Sequence, residues 1–139
     1  MSSSWIDTRE NSIFTYVKNY VKDELGSKYP DLTFTTNDAE NTGAKFPTVY
    51  MFFDWVERQS TLDGGAINAV YMTIRTQVSA QNNSQGFTAA KKVNTSVRDA
   101  LCSLGFITSG SPIPTTSGDV KAINANYQRI IGHDDPLTI

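Results

Sequence analysis

The sequence has one cysteine, Cys102, and one histidine, His133, among its 139 residues. A single thiol excludes an internal disulfide and fits a reducing cytoplasm. A single imidazole removes the usual zinc ligand sets and most histidine-based acid–base schemes. His133 is followed by Asp134 and Asp135, but neighbours on a short tail cannot all converge on one ion, so a solvated tail is expected. Cys102 sits beside Leu101 on a predicted helix and reads as a small buried or half-buried residue. Charge of one sign is also scarce. Twelve Lys and Arg oppose 14 Asp and Glu with no basic run, which argues against nucleic acid as the main partner. No long apolar run is present, and Met1 to Asp7 lacks the basic and apolar segments of a secretion signal, so neither a membrane span nor export is expected.

The motifs that carry chemistry are missing as well. There is no Gly-x-Ser-x-Gly elbow, no phosphate-cradling Gly-x-x-x-x-Gly-Lys and no dinucleotide fingerprint. The carboxylates are scattered. Asp54 and Glu57 lie three residues apart on a predicted strand and should face opposite sides, so they form no acid–base pair. The expectation is a protein that is not an enzyme and needs no cofactor and no metal.

What is present is apolar and periodic. Hydrophobic residues make up 39% of the chain and aromatics 11%, enough for one domain spanning residues 1–139 with a real core. Ile13, Phe14, Val17, Val21 and Leu25 recur at helical spacing, predicting a helix over 8–25 that Asp7 and Glu10 would open as a capping box and Gly26 would end. Residues 32–36 alternate as a short strand. After a polar loop, Phe46-Pro47 opens an extended segment over 48–58. There Val49, Met51, Phe53 and Trp55 share one face and Tyr50, Phe52 and Val56 the other. Both faces are apolar, so this strand is either central or covered on one side by another subunit. Asp63-Gly64-Gly65 marks a reversal, and 67–79 returns with Val70, Met72, Ile74 and Val78 inward and polar residues outward. A second helix is predicted over 84–104, capped by Ser84, with Phe87, Ala90, Val93, Val97, Ala100, Leu101 and Leu104 buried and Gly105 as its stop. Residues 108–118, with Pro112 and Pro114, read as a loop, and 120–131 as the last strand. The class is α+β: an antiparallel sheet of about four strands with two helices packed against it, in the order α-β-β-β-α-β. Trp5, Tyr16, Tyr20, Tyr50, Phe52, Tyr71 and Tyr127 exceed what one thin two-layer domain hides, which favours a protein interface.

The layout from about residue 6 to 133 resembles the tail-terminator, or tail-completion, proteins of long-tailed bacteriophages. The resemblance is carried by Ile13-Phe14-Thr15-Tyr16-Val17 in the first helix and by Phe46-Pro47-Thr48-Val49. It continues through the hairpin Tyr50 to Arg58 and Val70 to Val78, and through Val97-Arg98-Asp99-Ala100-Leu101 running into Leu104-Gly105-Phe106. It ends with Asn126-Tyr127-Gln128-Arg129-Ile130-Ile131-Gly132. The resemblance implies a virion protein, assembled in the bacterial host cytoplasm, that forms a homo-hexameric ring on the tail. Such a ring ends polymerisation of the tail tube protein and gives the head–tail connector proteins an attachment surface. It implies no catalytic residue. Another phage neck or head–tail joining protein, or a soluble binding or adaptor module, is the alternative. Ring closure needs two different patches per protomer. The two-faced strand 49–56 offers one, with a helix face or the proline-containing loop as its mate. The residues expected at interfaces are Trp55, Asp63 and Gly64 at the hairpin, and Pro112 and Pro114 in the loop.

Overall fold

The computed structural model describes residues 4–36, 46–57, 69–81, 83, 86–118, 120–135 and 137. Within them the chain runs α1 (Ser4–Leu25), β1 (Thr33–Thr35), β2 (Thr48–Glu57), β3 (Ala69–Gln81), α2 (Gly86–Ser103), β4 (Ile107–Thr108), β5 (Ile113–Ser117) and β6 (Val120–Gly132). The α+β class expected from the sequence holds. The sheet is larger than expected, with six strands in the order β1-β2-β3-β6-β4 and β5 also paired to β6. It is mixed, because β1 runs parallel to β2 while the other pairings are antiparallel.

Both helices lie on one face, and alternation along the strands explains why. Val49 and Met51 of β2, Val70, Met72, Ile74 and Val78 of β3, and Ile123, Tyr127 and Ile131 of β6 share one side of the pleat, and all are buried. They meet Ile6, Ile13, Val17 and Val21 of α1 and Ala90, Val93, Val97 and Leu101 of α2. Each helix buries one stripe at helical spacing, so two helices close one face of the sheet and no more. The two helices are tied by Ser96 Oγ donating to Glu24 Oε1 at 2.6 Å.

α1 starts earlier than its capping signal suggests. It begins at Ser4, and Ile6 extends the buried stripe seven residues before Ile13. Asp7 and Glu10 therefore sit inside the helix, three residues apart on one face, with Asp7 in its first turn and not at the cap position. Partial burial, together with the neighbouring Asp7 charge, raises the Glu10 carboxyl above its usual range. Ser84, the expected cap of α2, lies outside the described residues, as do the polar stretch 37–45 and the turn at 60–65.

α2 ends in the manner that Gly105 foretells. Phe106 N–H donates to Leu101 O at 3.1 Å and Gly105 N–H to Cys102 O at 3.0 Å, the paired bonds of a Schellman cap. Gly105 has φ of +90°, and a Cβ there would lie 2.8 Å from Arg129 Nε. Gly105→Ala is expected to cost about 1–2 kcal/mol through the left-handed backbone alone. It should also disturb the hydrogen bonds Arg129 makes. Thermal denaturation followed by circular dichroism would check this, and an unchanged midpoint would contradict it.

Residues 108–118 are not the open loop their composition suggests. Ile113–Ser117 form β5, an antiparallel partner of β6 over 120–124. A proline is compatible with an edge strand where its missing N–H faces away from the ladder, and Pro114 occupies such an outermost strand. Beyond β6 the chain turns at His133 and Asp134, and Leu137 is fully buried.

Candidate functional site

Among the described residues, the other face of the sheet has no helix over it. Its cross-strand rows follow from the register. Val56, Tyr71 and Ile130 form one row; Asp54, Thr73, Gln128 and Ile107 the next; then Phe52, Arg75 and Asn126; then Tyr50, Gln77, Asn124 and Ile113. Every large hydrophobic side chain that is exposed among the described residues, namely Phe52, Val56, Tyr71, Ile107, Ile113 and Ile130, belongs to this face. Their exposure runs from 40% for Phe52 to 66% for Val56 and Ile107. A scattered exposed Leu or Val needs no explanation, but six gathered on one face mark an interaction surface. The far end of the face is closed, with Thr48, Ser79 and Ala122 buried.

The centre of the face is polar and ordered by its own hydrogen bonds. The Arg75 guanidinium lies 5.7 Å from the Phe52 ring centroid, a cation–π contact. Gln77 Nε2 donates to Asn124 Oδ1 at 3.1 Å, and Asn124 Nδ2 reaches Ile113 O and Thr115 Oγ1 at 3.4 Å. Tyr71 Oη donates to Gln128 Oε1. Tyr50, Phe52, Arg75, Gln77, Asn124 and Asn126 enclose a shallow depression of about 430 Å³. The six line it with rings, amides and one guanidinium, groups suited to recognising a surface and not to acid–base or nucleophilic chemistry.

The residues expected at interfaces are placed as follows. Trp55 faces the helices, is half-buried and packs on the core, so Phe52 and Val56, not Trp55, are the exposed β2 hydrophobics of the open face. Asp63 and Gly64 lie outside the described residues. Pro112 and Pro114 are exposed, before and within β5. Tyr127, counted among the surplus aromatics, is fully buried in the core. Phe52 and Tyr71 from that set are exposed, while Trp5, Tyr16, Tyr20 and Tyr50 are partly buried. Cys102 is exposed instead of buried, because α2 turns Leu101 inward. Asp54 and Glu57 take opposite sides of the pleat as alternation requires, and both are exposed. The sequence reading passed over Ile107, Ile113, Ile130 and Arg75. Ile130 shares the alternation of Asn124, Asn126 and Gln128 along β6, which was the available signal, whereas Arg75, Ile107 and Ile113 join that face only through the registers of β3, β4 and β5 with β6.

His133 packs edge-on to Trp5 with centroids 5.4 Å apart, and its Nδ1 is 3.1 Å from Asp134 Oδ1. Among the described residues no three His, Cys, Asp or Glu side chains are grouped to hold a metal ion, and no helix is long and apolar enough to cross a membrane. No protein-family model matches the chain, and no curated protein matches it.

Proposed function

We propose that the chain is a structural assembly protein of the phage tail-terminator kind. It forms a ring on the end of the tail tube, stops tube growth and offers its far surface to the head connector. The observation that supports this reading most is the sheet face opposite the helices, which bears all six exposed large hydrophobics of the described residues. A face of that kind suits burial against other proteins. The layout of elements carries the resemblance, and the work of the protein on this reading is docking, without catalysis.

Electron microscopy of particles assembled without this protein, beside complemented controls, tests it. Overlong tubes lacking heads are the expected result, because length runs on only when a stop signal is lost. Tails of normal, fixed length would overturn the reading and favour a head-side neck protein or an adaptor.

A further inference from the structure

α1 has a second stripe besides the buried one, and it is free of charge for most of its length. Thr8, Asn11, Ser12, Thr15 and Asn19 run along it, with Tyr16 and Tyr20 beside them, and Asp23 at its end is the sole charged group there among the described residues. These residues line a shallow, open groove of about 660 Å³, and beside it Tyr16 Oη and the Ser103 hydroxyl of α2 are 2.9 Å apart. The solvated face of a helix normally carries charge, and interface cores are depleted of charge and enriched in Tyr. The open sheet face shows the same depletion with the opposite sign at its centre. Among its described strand residues Arg75 is the only cation, and Asp54 is the only carboxylate. Neither Arg75 nor Asp23 takes part in an ion pair within the described residues.

The sheet edges are poor alternatives. β1 has three residues and β4 two. Pro114 sits in β5, and Asp54 Oδ1 accepts the Trp55 N–H of β2 at 2.9 Å. Short strands, proline and side chains that occupy edge donors all block strand addition.

We infer that the occupant of the open sheet face is a second copy of this chain, which lays the α1 groove across it and brings its Asp23 to Arg75. The groove and the sheet face are different patches on opposite layers of the protomer, so the contact is head-to-tail and propagates from copy to copy. This inference rests on the ring-forming reading and supplies the contact that such a ring requires.

Sedimentation velocity across a concentration series tests it with purified protein. The wild type is expected to sediment as an oligomer. Arg75→Asp and Asp23→Arg should each weaken association about 100-fold, since each sets like charges face to face. Both positions are exposed, so circular dichroism should report an intact fold. Mixing the two single variants should restore the oligomer, because alternating copies regain an Asp–Arg pair at every contact, and the double variant should do the same alone. A wild type that stays monomeric throughout would overturn the self-docking, while tube length would still decide the capping reading. Oligomers indifferent to both substitutions, or single variants that mixing does not rescue, would place the contact elsewhere and overturn the inference.

Discussion

Tyr127→Ala is expected to lower folding stability by about 3–5 kcal/mol, the range for removing a large aromatic side chain from a core, whereas Tyr127→Phe should leave it unchanged or raise it by about 1 kcal/mol. Tyr127 is among the largest fully buried side chains. On β6 it stands opposite Ile74 of β3 and Thr108 of β4, under α2. Its ring fills the centre of the two-layer core, and its truncation leaves a cavity that the flanking strands cannot close. Its hydroxyl is different: it is buried and has no partner in good hydrogen-bond geometry among the described residues, the Thr76 hydroxyl lying near enough only to ease its ionisation. A buried hydroxyl without a partner costs free energy that a phenyl ring does not, so the phenylalanine variant separates the worth of the ring from the cost of the oxygen. Urea denaturation of the two variants gives both numbers. A Phe variant less stable than wild type by more than 1 kcal/mol would show that the hydroxyl is satisfied.

The same oxygen sets an alkaline limit. Burial pushes the Tyr127 phenol up to about 12, with Cys102 adding to the rise and Thr76 and Arg98 opposing it. Below about pH 10 the folded and unfolded chains both hold the phenol proton, and the group leaves stability unaltered. Above that pH the unfolded chain sheds the proton while the folded chain keeps it until about pH 12. Stability is therefore lost across that window, on the order of 1.4 kcal/mol for each pH unit from this group. The Phe variant lacks the group, so its stability relative to wild type should grow between pH 10 and 12. Lysine titration is common to both chains and cancels in the difference.

The elements that pattern alone reveals are those in which a single period runs uninterrupted. Val70, Met72, Ile74 and Val78 alternate cleanly and are all buried; Ala90, Val93, Val97, Ala100 and Leu101 hold helical spacing and are likewise buried. Gly105 after Leu104 marks the end of α2 in both sequence and structure. Errors arose where a local signal and a tertiary contact pointed different ways. Asp7 and Glu10 look like a cap, but burying Ile6 gains more than a capping bond, so α1 runs back past them. Residues 113–117 have the composition of a loop and become a strand because β6 offers them a ladder. The parallel pairing of β1 with β2 depends on a crossover that no local pattern encodes. The open face was half legible. Tyr50, Phe52 and Val56 showed that β2 has two apolar faces, but only the register of β3 to β6 collects Tyr71, Ile107, Ile113 and Ile130 beside them.

Asp135→Asn is expected to loosen the C-terminal tail and lower stability at neutral pH by about 2 kcal/mol, between the worth of an exposed pair and that of a buried one. The Asp135 carboxylate faces Arg129 of β6 in a two-pronged pair, with Nη1 2.9 Å from Oδ2 and Nη2 donating to Oδ1 at 3.2 Å. Each side chain is only about one-fifth accessible. Oδ1 also accepts the Leu137 N–H at 2.9 Å, holding Leu137 in the left-handed region at φ of 59° with its side chain fully buried. Arg9 of α1 adds a bond to His133 O at 3.1 Å, so the tail is fixed between α1 and β6. Partial burial alone would raise the carboxyl of Asp135, but the Leu137 N–H and the Arg129 guanidinium outweigh it and hold it below its usual range. The folded state therefore favours the ionised form. Its contribution is present above the unfolded value of about 3.9 and is lost as pH falls below that through the folded value. The asparagine variant keeps an acceptor for Leu137 but no charge for Arg129. Its deficit relative to wild type should be full at pH 7 and shrink in acid below about pH 4. A deficit that stays constant down through that range would show that the charge on Asp135, and so the ion pair, contributes nothing.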